Sequence, residues 1–113
     1  MQKLYPALIT ALLTAGPTAA LAQVSGDLPG DPAAGRALAE QICWACHVIP
    51  DYEPPAFEAP GAQPFEALAA DPAVTEMALR AFLLSSHPTM PDFIFSYEEL
   101  NNIIAYILSL KDG

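Results

Sequence analysis

Cys43-Trp44-Ala45-Cys46-His47 holds the only two cysteines of a 113-residue chain, three positions apart, with a histidine directly after the second. That spacing suits covalent attachment of haem, because two thiols can add to the porphyrin vinyl groups while the adjacent imidazole reaches the iron from one face. A disulfide between cysteines at i and i+3 would close too short a loop to stabilise a domain. The pentapeptide therefore predicts one haem c with its iron, bound through Cys43 and Cys46, and His47 as an iron ligand.

Working outward, the chain opens like an export leader. Residues 1–22 carry one basic residue, Lys3, then the apolar run Leu4 to Leu13, and end Ala20-Leu21-Ala22. The small-x-small ending reads as a signal-peptidase site, and Pro6, Gly16 and Pro17 interrupt a stretch barely long enough for the roughly 20 residues that a bilayer core requires. Cleavage is expected after residue 22, which leaves residues 23–113 as one exported domain with no membrane span. A domain of that size buries a modest core, and a large apolar cofactor would supplement it. Twelve prolines and six glycines suit a few helices joined by long irregular connections around a flat prosthetic group.

The formal charge is −9, and loss of Lys3 would take it to −10, with Arg36, Arg80 and Lys111 as the remaining bases. Nucleic acid and anionic membrane surfaces are poor partners for such a chain, whereas a basic docking patch on a redox protein would be steered towards it. The acidity also serves simple solubility.

Helical periodicity appears three times. Asp31-Pro32 places an N-cap and an N1 proline before a helix running to the cysteine motif, with Ala34, Leu38 and Ile42 on its apolar stripe. Asp71-Pro72 repeats the device before Val74, Ala78, Leu79, Phe82 and Leu83, with Met77 read as core. Ser96-Tyr97-Glu98-Glu99 forms a capping box for a last helix to about Leu110, whose stripe is Leu100, Ile103, Ile104, Ile107 and Leu108. A short helix is expected after Pro64, and residues 48–64, rich in proline, form a loop. No strand pattern occurs, so the fold is read as all-α: three main helices and a short one wrapped around the haem.

The iron face opposite His47 needs a sixth ligand or stays open. Met90 is the candidate, in the loop Ser86-His87-Pro88-Thr89-Met90-Pro91, where two prolines limit backbone freedom around a thioether that favours ferrous iron. His87 is its competitor, and it is otherwise read as a surface residue or one that hydrogen-bonds near a propionate. A ligating imidazole usually donates its other N–H to a carbonyl. Pro64 is the first choice of acceptor, ahead of Pro54 and Pro55. Trp44 stacks near the porphyrin edge or serves as a surface aromatic for docking.

These features resemble the class I c-type cytochromes, in particular the small single-haem proteins exported by Gram-negative bacteria. The resemblance spans residues 31–110: the helix into Cys43-Trp-Ala-Cys-His47, the Pro64-Phe65 element, Met90-Pro91, and the closing Ile-Ile-Ala-Tyr-Ile-Leu-Ser-Leu110. It implies thioether bonds at Cys43 and Cys46, His47/Met90 axial ligation, and a crossing of first and last helices in which Gly35 or Ala39 receives Tyr106. It also implies one-electron transfer between periplasmic redox proteins rather than enzymatic turnover, by a monomer or small subunit. The chain departs from mitochondrial-type carriers in lacking a lysine ring.

Other readings remain open at this point. The chain could be the cytochrome subunit of a dehydrogenase or oxidoreductase complex, or a ligand-binding haem protein if Met90 does not ligate. A thiol-disulfide enzyme would use Cys43 and Cys46 but lacks a βαβ context, and a zinc site would need Cys43, Cys46, His47 and His87 together.

Overall fold

The computed structural model describes residues 29–112, so the expected leader and its cleavage site lie outside the described residues. Four helices follow in order: α1 (Pro32–Ile42), α2 (Phe65–Ala70), α3 (Glu76–Leu83) and α4 (Tyr97–Ser109), with 3₁₀ turns at Cys43–Ala45 and Leu110–Asp112. No strand occurs among the described residues, and the fold is all-α, three main helices and a short one, as expected.

The helix starts follow from side chains that satisfy otherwise orphaned N–H groups. Asp31 is extended and accepts a hydrogen bond from the Ala33 N–H, with Pro32 at N1. Ser96 and Glu99 make both halves of the capping box, at 2.8 and 3.2 Å. The start of α3 differs from the expectation. Asp71 caps the end of α2 and spends its carboxylate on the Ala73 N–H in a local turn, so the helix begins only at Glu76, under Thr75, whose hydroxyl accepts from the Ala78 N–H at 3.1 Å.

The last helix is the centre of the domain. Every residue from Leu100 to Ile107 is buried, and Ile103, Ile104 and loop residue Ile49 are sealed from solvent. Helix α1 crosses α4 through Gly35 and Ala39 rather than through Ala34, which is exposed. The approach is backbone to backbone: a Cβ on Gly35 would run into the Asn102 carbonyl and come within 2.8 Å of the Tyr106 Cβ. Two buried asparagines of α4 tie its neighbours down. Asn102 Oδ1 accepts from the Asp31 N–H at 2.7 Å, and Asn101 Oδ1 accepts from Arg80 of α3 at 2.7 Å.

On α3, only Leu79 is buried. Met77, expected in the core, is 78 % exposed, because two residues of helix place it on the face opposite buried Leu79. Ala78 and Phe82 are exposed as well, yet both wall the cavity described next. No helix among the described residues is long and apolar enough to cross a membrane.

Candidate functional site

Where α1 ends, the chain tightens. The Cys46 and His47 N–H groups both donate to the Cys43 carbonyl, at 3.1 and 2.9 Å, and this turn presents Cys43, Cys46 and His47 to one cavity. The following loop is pinned back onto the motif by the Phe57 N–H to the Ala45 carbonyl and the Phe65 N–H to the Val48 carbonyl. Phe65 is buried, with its ring edge-on to His47 at 5.4 Å between centroids and tilted against Tyr106 at 6.1 Å.

That anchoring sets the histidine. Its Nδ1–H donates to the Gln63 carbonyl at 2.6 Å, which leaves Nε2 as the lone-pair nitrogen. The acceptor is thus one residue before the expected Pro64, whose carbonyl accepts from the Leu68 N–H in the first turn of α2. Pro64 itself is exposed at the N-cap. Trp44 does not wall the cavity; half-buried, it packs on the outer side of the core and meets Tyr52 edge-on at 6.1 Å.

The cavity has a volume of about 480 Å³, within the range of roughly 300–1,000 Å³ typical of pockets that bury a ligand. It is also lined from α3, from residues 87–95 and from α4, among them Leu79, Phe82, Met90, Phe93, Phe95 and Ile103. His87 lines the same space. A hydrogen bond of 2.8 Å from Ser86 Oγ to Asp92 Oδ2 closes the segment that contains both His87 and Met90. Two thiols, two imidazoles and a thioether on one cavity with otherwise largely apolar walls fit a covalently held flat porphyrin. Phe82 is read from the sequence only as part of a helix stripe, and Phe93 and Phe95 are not singled out, although three phenylalanines around the Met90 loop are a compositional hint.

Thiol redox chemistry does not fit. Burial pushes the Cys43 thiol up to about 12, whereas a reactive thiol needs a lowered pKa. The motif also follows the C-terminus of α1, where the helix dipole disfavours a thiolate. The zinc arrangement fails on geometry, since no group of three or more His, Cys, Asp or Glu side chains among the described residues is placed to hold a metal ion.

Comparison with protein families finds a match over residues 32–111 to the family described as Cytochrome c. Comparisons with curated proteins and with solved structures yield no match.

Proposed function

The chain belongs to the cytochrome c family, whose members bind haem c covalently and carry electrons, and from that premise we propose that it shuttles single electrons between periplasmic redox proteins with His47/Met90 axial ligation. Haem, when bound, supplies an iron that cycles between ferrous and ferric states. Cys43 and Cys46 would hold it by thioether bonds, and His47, oriented by the Gln63 carbonyl, would offer Nε2 to the iron. Met90 would supply a thioether to the iron, which would raise the reduction potential relative to a second imidazole. Apolar walls keep water from the site and so limit the reorganisation that accompanies a change of charge. Export with cleavage after residue 22 belongs to the same proposal, as does a partner with a basic docking patch.

The observation that carries this reading is the single cavity shared by Cys43, Cys46, His47 and Met90. Optical spectra of the haem-loaded protein in both redox states test it. The weak sulfur-to-ferric-iron band is expected in the unaltered protein and in His87→Ala, and lost in Met90→Ala. A spectrum without that band, or one in which His87→Ala removes it, would overturn the ligand assignment.

A further inference from the structure

His87 carries a feature that one-electron transfer through His47 and Met90 does not use. Its Nδ1–H donates to the Ser85 carbonyl at 2.9 Å, and a carbonyl can only accept, so in the neutral ring Nε2 is the lone-pair nitrogen. That Nε2 is buried and has no hydrogen-bond partner among the described residues, which is a costly state for a polar atom. The ring lies against Phe82, a cavity wall, at 3.8 Å between centroids. His47 shows the same arrangement, with Nδ1 committed to a backbone carbonyl and the ring against the cavity. A backbone acceptor on one ring nitrogen is how metal-binding imidazoles are oriented.

Resting on the ligand assignment above, we propose that His87 is a reserve iron ligand, which takes the sixth position whenever Met90 leaves it. Among the side chains that wall the cavity, His47, His87, Met90 and the two motif cysteines are the ones with nitrogen or sulfur donors suited to iron. The chain's lysine within the described residues is elsewhere, with Nζ bonded to the Val74 carbonyl at 2.8 Å. Only Pro88 and Thr89 separate His87 from Met90, so the exchange needs movement of one loop and of no helix. The substitute state is six-coordinate, lower in potential and closed to small ligands. Loss of the thioether then leaves a carrier rather than an open, gas-binding iron.

The test uses the haem-loaded full chain as His87→Ala, Met90→Ala and the double variant. His87→Ala is expected to keep the sulfur band. Met90→Ala is expected to stay low-spin in both redox states. Reduced Met90→Ala should bind carbon monoxide at least about tenfold more weakly than the double variant, because an apparent affinity falls with the fraction of sites that are open. Adding imidazole to the double variant should restore the low-spin spectrum, which checks that the pocket is folded and admits a second ring. A high-spin Met90→Ala protein that binds carbon monoxide as tightly as the double variant overturns the reserve role and leaves Met90 ligation standing. If the unaltered protein lacks the sulfur band and His87→Ala alone opens the site, His87 is the resting ligand, and both assignments fall.

Discussion

The Tyr106 hydroxyl is buried without a hydrogen-bond partner among the described residues, on a side chain only 4 % exposed. An unsatisfied buried polar group costs about 1–3 kcal/mol, so Tyr106→Phe is expected to raise unfolding stability by about 1 kcal/mol, read by thermal or denaturant unfolding. Burial also holds the phenol above its ordinary value of 10.0. A group whose pKa is raised on folding contributes stability below the unfolded value and loses it as pH climbs, so stability should decline above about pH 10, and less in Tyr106→Phe. Glu99 has the opposite sign. Hydrogen bonds from the Ser96 backbone and then its side chain hold the carboxyl below its ordinary 4.5. Its contribution is present above that value and is lost as pH falls through the lowered one. Ser96→Ala removes the cap as well, at about 1 kcal/mol, and unfolding from pH 7 to 3 should show a shallower acid decline in that variant. This capping box is readable from residue types alone. The Gln63 acceptor was not, because a backbone carbonyl leaves no mark on the identity of the residue that carries it.

Helices α1 and α4 touch where α1 offers no large apolar side chain. The periodicity of Ala34, Leu38 and Ile42 points to a stripe one position away from the observed contact, since Gly35 scores as neither apolar nor helix-forming; the meeting of Gly35 with Tyr106 is instead what the family resemblance implies, and the structure bears it out. Gly35→Ala is expected to cost about 3 kcal/mol, because the added methyl meets the Asn102 backbone, which cannot step aside. Ala34→Ser, on the exposed side, should stay within about 0.5 kcal/mol. Thermal unfolding of the pair decides which face is packed; equal losses would contradict the crossing. The start of α3 was misread for a related reason. Asp71-Pro72 and Thr75 are both good openings, and the choice depends on Asp71 already being engaged at the end of α2, a tertiary circumstance. By contrast, α4 was legible throughout, because its capping box and its run of isoleucines agree.

Across the described molecule, every base is used internally. Arg36 pairs with Glu40 at 2.7 Å, Arg80 with Glu76 and Asn101, and Lys111 with the Val74 carbonyl. The remaining carboxylates therefore set the outward field, in keeping with the formal charge of −9. Electron-transfer rates with a basic redox partner, followed by stopped flow, should drop at least about tenfold between low ionic strength and 0.15 M salt, where charges are screened beyond about 8 Å. A rate that ignores salt would mean that docking rests on apolar contact. The bond from His47 Nδ1 to the Gln63 carbonyl has one more effect, on how this lineage can vary. A peptide oxygen is not encoded by any codon, so drift at position 63 cannot delete it, and side chains there are free to change. What inheritance must preserve is the length and path of the loop between residues 48 and 64: a single-residue insertion there would displace the acceptor, whereas many point changes would leave the imidazole as it is.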